Sequence, residues 1–246
     1  MSEAVTGQDL LDWAETLAGI ARTGLGFTES LYEQEERWKE LGQLITRQME
    51  TAEDLGEKLE LQKRRAFIVG TQLGTPEEAI EVWNDVLTND PNDQMALKGL
   101  RKSYRQAELW PSLVETIKKS ISIESDSKGI KDLRFELAEV YLNHLDSRAE
   151  AINESKRVLD IQPLTVGEMV RLEGLFTSAE SYSDAVRVMQ YRIDITDDKG
   201  EKVDVLFNVA DIYRHKLRRA ASAVEVFERI LDEEPENDRA YGELES

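Results

Sequence analysis

Residues 133–163 read LRFELAEVYLNHLDSRAEAINESKRVLDIQP, and residues 205–235 read VLFNVADIYRHKLRRAASAVEVFERILDEEP. Offset by 72 positions, the two stretches superpose without a gap. Phe135 falls on Phe207, Ala138 on Ala210, Tyr141 on Tyr213, Ala151 on Ala223, Leu159 on Leu231 and Pro163 on Pro235. The same step upstream reaches Ala66, Ala79, Leu87 and Pro91. The series Trp38, Trp110, Tyr182 and Leu100, Leu172, Leu244 carry the register through the sequence between. A fixed period kept without insertion is the mark of a repeat array whose units share one geometry and stack alike.

Within the middle unit the apolar residues recur at three-and-four spacing, which predicts four helices. The first runs from Trp110 to Ile123 with Leu113, Ile117 and Ile121 on one face. The second carries Leu133, Leu137, Val140 and Tyr141. The third carries Ala149, Ile152, Val158 and Leu159 and stops before Pro163, and the fourth carries Met169, Leu172, Leu175 and Phe176. Breaker clusters at 126–129, 146–148 and 162–165 separate them, and no run alternates with period two over strand length. Seventy-two is twice 36, so each unit is expected to hold two helical hairpins.

The order Leu137-Ala138, Tyr141, Ala151, Val158, Pro163 resembles the tetratricopeptide-repeat signature, and Phe207, Ala210, Tyr213, Ala223, Phe227 and Pro235 repeat it. The first unit offers Ala66, Ala79, Trp83 and Pro91, with Val69 at the tyrosine position. The resemblance covers residues 37–246, with an extra residue or two per hairpin. The alternate hairpin ends in Ile195-Thr196-Asp197-Asp198 instead of a proline. The resemblance implies an all-α, right-handed α-solenoid of about six hairpins, in units 37–108, 109–180 and 181–246, the last incomplete. That incomplete unit leads to the expectation of a fragment of a longer array.

Residues 1–36 lie largely outside the register and are expected to form an N-terminal helical cap. Trp13-Ala14, Leu17, Ile20-Ala21, Thr23-Gly24-Leu25, Tyr32 and Glu36-Arg37-Trp38 resemble the N-terminal helical extension of a group of Nudix hydrolases, over residues 10–38. In that group a box of the form Gly-x5-Glu-x7-Arg-Glu-x2-Glu-Glu holds the catalytic metal ions. The chain has no Arg-Glu pair followed by a Glu-Glu pair, so the resemblance implies a packing module without catalysis.

The 246 residues include 31 basic and 50 acidic side chains, a net charge of −19. Nucleic-acid binding rests on Lys and Arg neutralising phosphates, so this balance argues against it and against an anionic membrane surface. It suits either an acidic surface that keeps an extended array soluble or a basic protein or peptide partner. No stretch approaches the roughly 18 apolar residues that cross a bilayer. Zero cysteines exclude disulfides and thiolate metal sites, and the cytoplasm is the expected location.

Sites for chemistry are sparse, and no cofactor is expected. His144 and His215 do not share a repeat position, and no His-x3-His spacing exists to hold zinc. Asp197-Asp198-Lys199-Gly200-Glu201 lacks the ligand alternation of a calcium loop and reads as a turn, as does Asn89-Asp90-Pro91-Asn92-Asp93. The basic runs 63–65 and 215–219 read as solvated helix faces. The expectation is a non-enzymatic protein–protein interaction scaffold. In tetratricopeptide arrays the first helix of each hairpin lines a groove for a partner peptide or helix. The resemblance therefore places Lys63 and Phe67, then Phe135, Glu139 and Asn143, then Phe207, Asp211 and His215 in that groove. The alternatives are an accessory or docking subunit of a Nudix-type hydrolase and a structural spacer within a longer array.

Overall fold

The computed structural model describes residues 26–245, and all regular structure among them is helical. Of the residues that resemble a hydrolase extension, those up to Leu25 lie outside the described ones, while Tyr32 and Glu36-Arg37-Trp38 lie inside. The chain divides into two compact units, Met1–Thr116 and Ile117–Ser246. The first holds α1 (26–34), α2 (Trp38–Thr51), α3 (Leu55–Ile68), α4 (Pro76–Asn89) and α5 (Gln94–Gln106), with α6 (Trp110–Ile123) crossing the division. The second holds α7 (Ser127–His144), α8 (Arg148–Leu159), α9 (Val166–Ser178), α10 (Tyr182–Ile195), α11 (Lys199–Asp211), α12 (Ala220–Glu233) and α13 (Asp238–Leu244). Wider π turns at Val69–Leu73 and Ile212–Lys216 extend α3 and α11.

The 72-residue period reappears in the helix starts. Trp38, Trp110 and Tyr182 open one series, Leu55, Ser127 and Lys199 a second, Pro76, Arg148 and Ala220 a third, and Gln94, Val166 and Asp238 a fourth. The caps explain why the starts are fixed. Asp54, Asp126 and Asp198 each accept the N–H three residues on, from Glu57, Gly129 and Glu201. Asp93, Thr165 and Asn237 do the same for Ala96, Glu168 and Ala240. A side-chain oxygen there satisfies an amide that the helix leaves without a partner, at a typical value of about 1 kcal/mol.

The hairpins close on residues with left-handed backbones, and these correct the equal division into 36-residue halves. Positive φ occurs at Glu36, Gly74, Glu108, Asp146, Glu180 and Arg218, at intervals that alternate between 38 and 34 residues. In the tight turns the amide that follows such a residue donates to the carbonyl five positions back. Arg37 reaches Tyr32 at 2.8 Å, Leu109 reaches Tyr104 at 2.9 Å and Ser181 reaches Phe176 at 2.8 Å. Two longer hairpins close over six positions, Ser147 to Tyr141 at 2.8 Å and Arg219 to Tyr213 at 2.7 Å. The aromatics Tyr32, Tyr104 and Phe176 thus mark the tight turn, and Tyr141 and Tyr213 the wide one.

In the first unit α3 packs on α2 and α4, and α4 on α5. Its core gathers Ala66, Val69, Ala79, Val82, Trp83, Val86, Ala96 and Leu100. In the second unit α7 packs on α8, α9 on α10, and α11 on α12. Phe135, Ala138, Val158, Met169, Leu172 and Phe176 fall in one cluster there, and Phe207, Ala210, Ala223, Phe227 and Ile230 in another. Buried charges are paired across helices. Arg192 of α10 grips Glu173 of α9 through two hydrogen bonds, at 2.8 and 2.9 Å, and reaches Glu201 of α11 at 3.0 Å. Glu154 of α8 takes Arg134 of α7 at 2.6 Å and Arg157 at 3.0 Å.

Glu168 couples a cap to such a clip. Burial would raise its pKa, but bonds donated by Lys131 (2.6 Å) and by the Thr165 amide (2.7 Å) and hydroxyl hold it below the ordinary glutamate value of 4.5. A depressed carboxylate pKa contributes stability that is present above the unfolded-state value and lost as pH falls through the folded-state one. Glu168→Gln is expected to cost about 1–3 kcal/mol at neutral pH, as for charge-assisted hydrogen bonds generally. Denaturant titrations should show that deficit starting to shrink as pH falls below 4.5, and vanishing once the native carboxylate, whose pKa is lower, is itself protonated.

The turns yield a paired prediction. A left-handed backbone costs an L-residue roughly 1–2 kcal/mol and glycine almost nothing. Glu180→Gly should therefore raise the unfolding free energy by about 0.5–1 kcal/mol, whereas Gly74→Ala should lower it by a similar amount, both read from chemical denaturation.

Candidate functional site

A cavity of about 430 Å³ in the first unit lies between α3 and α5, with Trp83 of α4 behind it. Ala66, Phe67, Gly70 and Thr71 form one wall, and Met95, Lys98, Gly99 and Lys102 the other. Two large apolar side chains stand open to solvent there, Phe67 and Met95, each 57% exposed. Trp83 is 3% exposed and belongs to the core.

Two glycines let the floor of the cleft pack closely. A Cβ built on Gly99 would lie 2.3 Å from Trp83 Cε2 and 2.5 Å from its Nε1, so the indole rests directly on the α5 backbone. A Cβ on Gly70 would come within 3.1 Å of Ala79 Cβ. One repeat later the positions of Gly70 and Gly99 hold Leu142 and Arg171. In the second unit the Arg171 guanidinium stacks 4.4 Å from the centre of the Phe135 ring and pairs with Glu139 at 2.7 Å, which closes the equivalent surface. Phe135 and Glu139 occupy the register of Lys63 and Phe67. With glycine replacing the arginine, Phe67 is left uncovered.

Lys63 points elsewhere. Its ammonium pairs with Asp93 at 2.7 Å and Glu60 at 2.9 Å. Donating to Asp93, and secondarily to Glu60, raises its pKa against the opposing effect of burial. The other Asp93 oxygen caps α5 at 2.7 Å, so Lys63 fixes the start of α5 against α3 and thereby sets the width of the cleft.

The remaining sequence-derived candidates divide by exposure. Phe135 is fully buried beneath Arg171. Phe207 is buried too, with the Arg239 guanidinium 3.9 Å above its ring and Phe227 at 6.2 Å. Both rings pack between helices. Asn143, Asp211 and His215 are exposed, with His215 Nε2 at 3.5 Å from Asp211, and Glu139 is half-buried in its pair with Arg171. The basic run 63–65 is not a solvated face: Arg64 bonds to Glu29 and Glu33 of α1, and Arg65 to Glu78 of α4.

The basic face of α5 is absent from the sequence-derived candidates. Its thirteen residues, QMALKGLRKSYRQ, hold Lys98, Arg101, Lys102 and Arg105 and no acidic side chain. The signal lies in helical spacing, which a contiguous basic run does not reveal. Among the described residues no group of His, Asp or Glu is arranged to hold a metal ion, and no helix is long and apolar enough to cross a membrane.

Known proteins resemble the chain in its helical-repeat fold. Residues 25–59 match the tetratricopeptide-repeat family model, a stretch that crosses residue 36 and covers the α1–α2 hairpin. No curated protein matches the chain. A tetratricopeptide repeat protein from Parabacteroides merdae ATCC 43184 is similar in structure, with a TM-score of 0.55 at 13% identity over 86% of this chain and 79% of that one. MamA protein aligns with a TM-score of 0.50 at 20% identity, over 75% of this chain and 96% of that one. The Naa15/Naa10 complex bound to HypK-THB gives 0.50 at 16% identity, over 91% of this chain and 38% of that one. These likenesses establish a tetratricopeptide-like, all-helical fold.

Gly99→Ala is the direct test of how the cleft is built. The added methyl must displace Trp83, so a loss of about 1–3 kcal/mol is expected from overpacking, with a shift in tryptophan emission. Gly174→Ala, on α9 where nothing lies within 4 Å of the added atom, should leave stability unchanged or raised.

Proposed function

We propose that the chain is a non-enzymatic protein–protein interaction module whose first unit receives an apolar side chain of a partner peptide in the α3–α5 cleft. The observation that carries this is the pair Phe67 and Met95, exposed on facing helices over a floor that includes Gly70 and Gly99. Exposed apolar residues scattered singly are ordinary on a protein surface, but two flanking a cleft of this size offer an anchor pocket. The tetratricopeptide-like fold supports the reading, since first helices of successive hairpins supply such surfaces. Phe67 is the sequence-derived groove residue that serves here directly, with Lys63 as the residue that positions α5. Glu139, Asn143, Asp211 and His215 would offer polar contacts on α7 and the extended α11.

Panning a random peptide library against the full chain tests the proposal. Selected peptides should share a bulky apolar residue. Phe67→Ala with Met95→Ala should weaken them at least tenfold, since truncating an anchor contact costs on the order of 2 kcal/mol. Both residues are exposed, so the melting temperature should stay put. Selected peptides indifferent to the double substitution would remove the cleft from the function.

A further inference from the structure

The cleft is apolar inside and cationic at its rim. Lys98 and Lys102 stand one helical turn apart on α5, both exposed and both lining it. Among the described residues neither has a salt-bridge partner, unlike Lys63, Arg64 and Arg65 across the cleft on α3. The chain holds 50 acidic side chains against 31 basic ones, so a cation here has many carboxylates to meet. A helix with four basic residues and no acidic one, carrying two unpaired ammonium groups beside an open apolar cleft, departs from that background.

We propose that the partner segment is acidic: a peptide with a bulky apolar anchor flanked by carboxylates that pair with Lys98 and Lys102. This rests on the cleft being the interaction site, and it reverses the basic partner expected from net charge. The total of −19 governs long-range attraction, but at 0.15 M ionic strength charges separated by more than about 8 Å are largely screened. The contact is then decided by the groups at the rim. A basic peptide anchored in the cleft would set its cations against two ammonium groups, whereas an acidic one would replace lost water with ion pairs.

Three labelled peptides of one length test this at 0.15 M salt by fluorescence anisotropy with the full chain. Each carries a central tryptophan, flanked by glutamates, glutamines or lysines. The glutamate peptide is expected to bind at least tenfold more tightly than the lysine peptide, and Lys98→Glu with Lys102→Glu should invert that order. Phe67→Ala with Met95→Ala should weaken whichever peptide binds. Glutamine and glutamate peptides binding alike, with sensitivity to Phe67 and Met95, would overturn the acidic partner and leave the cleft standing. Tighter binding of the lysine peptide to the unaltered chain would do the same. Failure of all three peptides to bind would reject the cleft reading together with this one.

Discussion

Close approach between the helices of alternate hairpins, α3–α4, α7–α8 and α11–α12, is the constraint on which this molecule depends. Ala66 and Ala79, Ala138 and Ala151, Ala210 and Ala223 are all buried to within 1% of full burial, at the same two positions of every repeat. A methyl group there lets backbones approach, and the larger side chains around it, Val86, Val158 and Ile230, then fill the remaining space. Helix separation in turn fixes how far each turn must reach, and hence where the backbone must enter the left-handed region. The core register and the positions of the turns are therefore tied to how these helices pack.

That coupling explains why so much of the fold is legible in the sequence. The middle-unit helix at 110–123 coincides with α6, and the breaker clusters at 126–129 and 146–148 coincide with the α7 start and the α7–α8 turn. Apolar periodicity is set by burial, which the sequence records directly. The unequal hairpins are less visible, because both kinds keep the same apolar stripe and differ in how the backbone closes, tightly after Glu108 and Glu180 and more widely after Asp146 and Arg218. Val69–Leu73 and Ile212–Lys216 look like ordinary helix ends when read as letters.

The candidate site is legible in register and not in exposure. Positions 67, 139 and 211 hold Phe67, Glu139 and Asp211, all reaching solvent to some degree, so register alone identifies that face. One turn earlier, Phe135 and Phe207 recur with the period and look like a binding ladder. Both pack into core clusters between helices, and the guanidiniums laid over their rings, Arg171 and Arg239, come from helices more than thirty residues later and fall at different repeat positions. A lid supplied from another part of the chain leaves no trace in the local pattern of the residue it covers.

The same reasoning shows where a repeat protein carries specificity. Residues that keep the period serve the stack: the alanines, the capping Asp54, Asp126 and Asp198, and the aromatics whose carbonyls receive the turns. A residue free to differ between repeats has no such duty, and its difference persists only where something local uses it or nothing local resists it. At the register of Gly99 the chain holds glycine, arginine and glutamate in turn, and Arg171 and Glu243 are each committed to a partner within the fold. Glycine commits to none, yet it weakens the helix by about 1 kcal/mol relative to alanine. Its backbone supports Trp83, so the core is sealed at that point while the surface above it stays open. The first unit thus combines an intact core with an uncovered apolar surface, a combination that no side chain at position 99 preserves, because its Cβ would fall on the Trp83 ring.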